Sequence, residues 1–296
     1  MAQATTISAA ALLAWRQQQL VQGGAGAELD WLLEMAGGLD WPQRQRLRLD
    51  PSRKVALSSS LEEIEQLWKQ HRQTQIPLQY LVGLCPWRDL ELRVGPGVLI
   101  PRQETELLVD LALQQRPTTT PLQGLWRWAD LGTGSGCLAL ALALAWPDSE
   151  GHAVDCSPEA LAQAKTNLEA APLQKPVMLH LGSWWEPLRA EWGQLNLVVA
   201  NPPYIPEAVW QELEPVVRDH EPALALKSGA DGLDALRAIV AGAKPALAPG
   251  GWLLLEHHHD QSAQVLELLE QHGLEHRRAW GDLEGRLRFA GGRRAR

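Results

Sequence analysis

Phenylalanine is nearly missing: the 296-residue chain has one, beside two tyrosines and 14 tryptophans. Tryptophan is therefore the general aromatic core filler, and its abundance marks no single function. Cysteine is scarce too. Cys85, Cys137 and Cys156 form neither a close pair nor a metal-ligand spacing, which argues against a disulfide framework and for a reduced chain. Long apolar runs are lacking. The stretch at residues 9–15 has no basic leader and is too short to span a bilayer, and no later run reaches membrane length. A cytoplasmic chain with no membrane partner is the expectation. Excess positive charge is absent: the net charge is -8, whereas a free-standing duplex-DNA binder would carry a basic face. What is present is an ordinary apolar fraction, 45%, and enough length for one large domain beside a small one.

The chain changes character along its length. Residues 1–75 read as a small helical domain. Apolar residues at helical spacing fill residues 7–21 and stop at Gly23-Gly24, and residues 28–36 stop at Gly37-Gly38. Ser60 and Glu63 make a capping box ahead of Leu61, Ile64, Leu67 and Trp68, which share one helical face. Residues 76–100 are punctuated by Pro77, Gly83, Pro86, Gly95, Pro96 and Gly97. Leu90 to Val94 alternate with period two, so this stretch reads as a β-hairpin linker. Residues 101–290 alternate strand and helix. The expected strands are 127–131, 152–155, 177–181, 195–200 and 252–256, with two final ones at 276–280 and 286–289. Such alternation implies an α/β fold with a doubly wound, mostly parallel sheet. The basic tail at residues 291–296 reads as a disordered, solvated end.

The first of these strands runs into Asp130-Leu131-Gly132-Thr133-Gly134-Ser135-Gly136. Glycines at alternate positions let the backbone turn tightly and keep side chains away from a ligand. In a dinucleotide fingerprint the third glycine comes one residue later, and a phosphate-gripping loop carries a Lys-Ser or Lys-Thr pair. Neither pattern is met. An acid two residues before the first glycine suits an ammonium group, as at the methionine end of S-adenosylmethionine. Asp155 ends the second strand, where a carboxylate can accept from both ribose hydroxyls.

The fourth strand delivers Asn201-Pro202-Pro203-Tyr204, placed at the carboxyl end, where open α/β sheets do their chemistry. An amide nitrogen is a poor nucleophile because its lone pair is delocalised into the carbonyl. To attack a sulfonium methyl it must be held with that lone pair aimed at the methyl. The Asn201 side-chain oxygen can accept one N–H and the Pro202 carbonyl the other. The prolines stiffen the loop, and Tyr204 offers a flat face to a planar group. No strong base is needed. The rate gain lies in positioning and in exclusion of water.

These residues resemble the release-factor glutamine methyltransferase family, also called protein-(glutamine-N(5)) methyltransferases, over nearly the whole chain. The resemblance includes Ile76-Pro77-Leu78-Gln79-Tyr80-Leu81-Val82-Gly83 and Leu99-Ile100-Pro101-Arg102-Gln103-Glu104-Thr105-Glu106. It continues through Asp130 to Gly136 and Asn201 to Tyr204, then Glu221-Pro222, Asp231-Gly232-Leu233 and Leu254-Leu255-Glu256-His257. It implies a Rossmann-like class I methyltransferase domain with an antiparallel last strand, preceded by a helical substrate-docking domain. It implies transfer of a methyl group from S-adenosylmethionine to the glutamine of the Gly-Gly-Gln loop of class 1 peptide chain release factors. It places Asp130, Gly132, Thr133, Gly134, Ser135, Gly136, Asp155, Trp184 and Asn201 at the cofactor, with Trp184 beside the adenine. Asn201, Pro202, Pro203 and Tyr204 fall at the target glutamine.

Asn-Pro-Pro-Tyr is shared with adenine-N(6) methyltransferases, so an exocyclic amine of a nucleic-acid base, flipped into the same pocket, is the alternative target. The acidic charge and the short span between the glycine loop and Asn201 speak against it, and no stable nucleic-acid partner is expected. Two departures from the family pattern stand out. Ser183 occupies a position where the family often has an acid, and His257-His258-His259 replaces a glycine turn. Adjacent histidines rarely converge on one ion, and no metal site is expected.

Overall fold

The computed structural model of the chain describes residues 5–116 and 125–296. Two compact units result, Met1–Leu84 and Cys85–Arg296.

In the first unit, strand β1 (Thr5–Ser8) pairs antiparallel with β2 (Lys54–Leu57). Around them lie helices α1 (Ala9–Val21), α2 (Gly26–Met35), α3 (Trp41–Leu49), α4 (Leu61–Thr74) and α5 (Leu78–Val82). Leu12, Leu29, Leu32, Leu33, Ile64 and Trp68 form their shared core. The Ser60–Glu63 capping box is present, with both reciprocal bonds made. The all-helical reading of this region needs correction. The Ser8 hydroxyl accepts from the Ala11 N–H and starts α1 at Ala9, so Ile7 belongs to β1. Helix α3 also went unread. Its residues are mostly polar, and its start is fixed by a second capping box, Asp40 with Gln43.

The second unit opens on a hairpin, β3 (Leu84–Trp87) and β4 (Leu90–Arg93). Trp87 and Leu92 from it are fully buried in the core of that unit. Helix α6 (Glu106–Leu113) follows. The main sheet then alternates with helices: β5 (Arg127–Leu131), α7 (Cys137–Ala145), β6 (Glu150–Asp155), α8 (Pro158–Glu169), β7 (Met178–Leu181) and β8 (Leu195–Ala200). After the short α9 (Glu207–Trp210) and α10 (Pro215–Arg218) come α11 (Asp234–Ala246), β9 (Leu247–Glu256), α12 (Ser262–Gln271), β10 (Glu275–Gly281) and β11 (Leu287–Arg293).

The seven strands are ordered β10-β11-β9-β8-β5-β6-β7. Pairings from β9 through β7 are parallel, whereas β11 runs antiparallel between β9 and β10. This is the doubly wound α/β sheet with an antiparallel last strand. One face packs α6 and α7 through residues such as Leu108, Leu138 and Leu142. The other packs α11 and α12 through Leu236, Ile239, Val265 and Leu269. Buried tryptophans fill these layers; Trp128 donates its ring N–H to the Ser149 hydroxyl (2.8 Å) and Trp185 to the Ile239 carbonyl (2.9 Å), whereas the ring N–H of Trp126 has no partner.

The basic tail is a further correction. Gly291, Gly292 and Arg293 lie in β11, opposite Leu254, Leu253 and Trp252. The two glycines answer crowding. A Cβ on Gly291 would meet the Leu253 carbonyl oxygen at 2.7 Å, and one on Gly292 would meet the Leu274 Cβ at 3.0 Å.

Candidate active site

Strand order reverses at β5: the chain goes on to β6 and β7 on one side and returns to β8 and β9 on the other. Such a switch point opens a crevice at the carboxyl ends of the strands. Register decides what meets there. Asp130 pairs with Val199 across β5 and β8, and Ala200 pairs with Leu255 across β8 and β9. The glycine loop, the Asn201 loop and Glu256 therefore emerge side by side. The two loops border a cleft of about 670 Å³ lined by Gly132 to Ser135, Asp155, Trp184, Asn201 and Pro203, with Thr105, Pro101 and Ser183, and Glu256 lies buried behind it.

The loop after β5 is held by its backbone. The N–H groups of Gly132 and Thr133 both donate to the Val154 carbonyl, at 2.8 and 2.9 Å. Gly132, Gly134 and Gly136 all have left-handed φ values of 73°, 56° and 81°. Close approach adds to this at two of them. A Cβ on Gly132 would lie 3.2 Å from the Trp184 ring, and one on Gly136 would lie 3.0 Å from the Ala164 Cβ. At Gly134 a Cβ would meet nothing within 4 Å. Asn167, buried on α8, ties the end of the loop to the hairpin: its Nδ2 donates to the carbonyls of Ser135 (2.8 Å) and Arg93 (3.0 Å).

Asp155 accepts from the N–H groups of Gly134 and Ser157, each at 2.9 Å, and still presents free lone pairs at the cleft wall. Burial raises its pKa against those donors. Asp130 is fully buried. Its Oδ2 accepts from the Thr133 hydroxyl at 2.6 Å, and its Oδ1 has no hydrogen-bond partner. Burial pushes its carboxyl up to about 7, opposed by the Thr133 hydroxyl and reinforced by the Asp155 charge. Among the described residues neither acid is ion-paired. Two raised carboxylates without a cation favour a positively charged ligand over a phosphate, which fits the sulfonium and ammonium groups of S-adenosylmethionine.

Trp184 sits at φ 46°, a conformation that bulky residues seldom adopt. Its ring lines the cleft against Gly132, whereas Trp185 is core. Not every residue singled out in the sequence faces the cleft. Asp130 and Gly136 stand behind the loop, Pro202 is buried, and Tyr204 turns its hydroxyl toward Glu256 Oε1 at 3.5 Å. Burial, and then the Glu256 charge, push the Tyr204 hydroxyl pKa up.

Asn201 Nδ2 donates to the Thr105 hydroxyl at 3.0 Å, and that hydroxyl donates to Glu256 Oε2 at 2.7 Å. Arg102 pairs with the buried Glu221 at 2.7 Å, and Glu221 also accepts from the Ile100 N–H. Thr105, Glu256 and Glu221 received no role from the sequence, although each lies in a segment that carries the resemblance.

The three adjacent histidines do not converge. His257 Nδ1 contacts the His258 carbonyl, and His258 Nδ1 contacts Asp260. Among the described residues Glu150, His152 and Glu191 bring possible ligand atoms within 4.8 Å. They lie by the starting end of β6, opposite Asp155, and Arg127 already sits 3.1 Å from Glu150 and 3.9 Å from Glu191. Among the described residues no helix is long and apolar enough to cross a membrane.

Comparison with known proteins adds three findings. The family model described as methyltransferase small domain matches residues 106–214. A Prochlorococcus marinus protein named release factor glutamine methyltransferase is 53% identical over 282 residues, covering 95% of this chain and 96% of its own. A protein of the same name from Synechocystis sp. is 41% identical, covering 87% and 86%. Among solved structures, the hMettl16 catalytic domain in complex with MAT2A 3'UTR hairpin 6 superposes with a TM-score of 0.53 at 14% identity, over 82% of this chain and 84% of that one. That likeness is one of fold.

Proposed function

Because the chain belongs to the release factor glutamine methyltransferase family, we infer that the cleft binds S-adenosylmethionine and transfers its methyl group to a glutamine side-chain nitrogen of a class 1 peptide chain release factor. The observation that carries this reading is the state of Asn201. Its Nδ2 is committed to Thr105, so its oxygen is the end left to accept an N–H at the cleft that also holds the glycine loop.

When bound, the cofactor supplies an electrophilic methyl on a sulfonium. The residues of the chain do the rest. Asp155 would accept from the ribose hydroxyls, and Trp184 would pack its ring against the adenine. Asp130 and Asp155 supply the negative field that a cationic ligand needs. Asn201 Oδ1 takes one hydrogen of the target amide and the Pro202 carbonyl the other. This fixes both hydrogens and frees the nitrogen lone pair for attack. Transfer would form the bond from nitrogen to the methyl carbon as the bond from carbon to sulfur breaks. The nitrogen then gives up one proton to solvent, since it is acidic once alkylated. No strong base is required, and the protein contributes orientation and dryness.

The helical unit Met1–Leu84 serves as the docking module for the large protein substrate, and the site of action is the cytoplasm, where translation ends. The relatives' names favour the protein target over a nucleic-acid base. The test is a release factor whose Gly-Gly-Gln glutamine is changed to alanine. It should take up no label from methyl-labelled cofactor, whereas the unaltered factor does. Equal labelling of the two would overturn the reading.

A further inference from the structure

A carboxamide has a donor end and an acceptor end of nearly the same shape. Asn201 can accept a target N–H only if Oδ1, and not Nδ2, faces the cleft. Its own chemistry does not make that choice. Its neighbours do. The Thr105 side chain, 2% exposed, lies between Asn201 and Glu256. It carries a single proton. Glu256 is buried at the carboxyl end of β9, beside Asn201, and when ionised can only accept. The Thr105 proton is therefore drawn to Glu256 over 2.7 Å, and the lone pairs of the hydroxyl are left for Asn201 Nδ2 at 3.0 Å. Both bond directions are fixed from the Glu256 end.

We propose that Thr105 and Glu256 are positioning residues that polarise this hydrogen-bond chain and hold the Asn201 carboxamide with its oxygen toward the target nitrogen. The proposal rests on the reading of Asn201 as acceptor and adds what sets its orientation. The three side chains come from the start of α6, the end of β8 and the end of β9. Residues 105 and 201 are 96 positions apart, and residues 105 and 256 are 151 apart.

Protonation reverses the chain. A neutral Glu256 can donate to Thr105, which then turns its own hydrogen toward Asn201. The amide oxygen becomes the better partner for Thr105, and Nδ2 rotates into the cleft as a donor facing a donor. The groups around Glu256 set where this occurs. Burial pushes its carboxyl up to about 7, with the Thr105 hydroxyl opposing. Glu104, beside Thr105, raises it further, while Arg288 on β11 and the Tyr204 hydroxyl favour the charged form. His257 follows it in the chain, and burial lowers the pKa of that ring.

The test measures kcat against pH for Thr105→Val, Thr105→Ser, Glu256→Gln and Asn201→Ala in the full chain, with equilibrium cofactor affinity and melting temperature measured in parallel. Thr105→Val should lower kcat about 10- to 100-fold, the scale of a misplaced catalytic group, with cofactor affinity unchanged. Thr105→Ser should recover most of that loss. Glutamine at position 256 can donate or accept, so Glu256→Gln should lower kcat and abolish the limb near pH 7, without melting lower than the parent. If Thr105→Val does not fold, Glu256→Gln decides alone. Parental kcat and an intact limb in Glu256→Gln would overturn the relay. Asn201→Ala separates the two layers of the argument. If it transfers normally, the reading of Asn201 fails and the relay with it. If it is dead while the other variants are normal, the relay alone fails.

Discussion

Glu256→Gln should stabilise the folded protein at alkaline pH. Glu256 is 1% exposed, and burial pushes its carboxyl from an ordinary 4.5 up to about 7. The folded state thus holds this proton more tightly than the unfolded chain does. Its contribution to stability is fully present below pH 4.5 and is lost as pH rises through 7. The difference between those values, at 1.36 kcal/mol for each tenfold step, amounts to about 3 kcal/mol. Glutamine has no such ionisation. The gap in unfolding free energy between variant and parent should therefore shift in favour of the variant by about 3 kcal/mol between pH 4 and pH 8. Urea unfolding at the two pH values measures it. Taking the change across pH removes any constant difference in packing or hydrogen bonding between amide and acid. A gap that stays constant across this range would refute the claim that burial raises the pKa of the carboxyl behind Asn201. A gain in stability joined to a loss of transfer would show a charge kept for function.

Three further outcomes follow from the site. Asp155→Ala should weaken S-adenosylmethionine binding through loss of the ribose contacts, each charged hydrogen bond contributing roughly 1–3 kcal/mol, as calorimetry would register. Gly136→Ala places a Cβ 3.0 Å from the Ala164 Cβ at φ 81° and should lower unfolding free energy by about 1–3 kcal/mol, measured by urea titration. Trp184→Ala should weaken cofactor binding with little change in melting. Trp185→Ala, in the core and hydrogen-bonded to Ile239, should cost about 3–5 kcal/mol of stability; the opposite pattern would exchange their roles.

Much of the sheet was legible because buried parallel strands read as short apolar runs. The strands at 127–131 and 195–200 have the expected ends, and the glycine loop and Asn201 follow from them. Each missed element has its own physical cause. Strands β1 and β2 span four residues each, too few for alternation to stand out from a helical pattern nearby. Helix α3 buries only Leu47, so it has no apolar stripe, and its marks are the capping box and Pro42 in its first turn. Gly291 and Gly292 join a strand by pairing with Leu254 and Leu253, and they are glycine because the surroundings leave no room for a Cβ, a fact of packing that composition hides. The same holds at the site. Asn201 and Asp155 could be read from local context, whereas the roles of Thr105 and Glu256 depend on register across β8 and β9 and on the approach of the segment before α6.

The most direct test of the account offers labelled S-adenosylmethionine to the protein together with a purified class 1 release factor and total cellular RNA, with mass mapping of every labelled product. The account predicts label on the glutamine side chain of the Gly-Gly-Gln loop and its loss in Asn201→Ala with cofactor affinity within a few-fold. Label confined to a base amine in the RNA, with the release factor left bare, would contradict it.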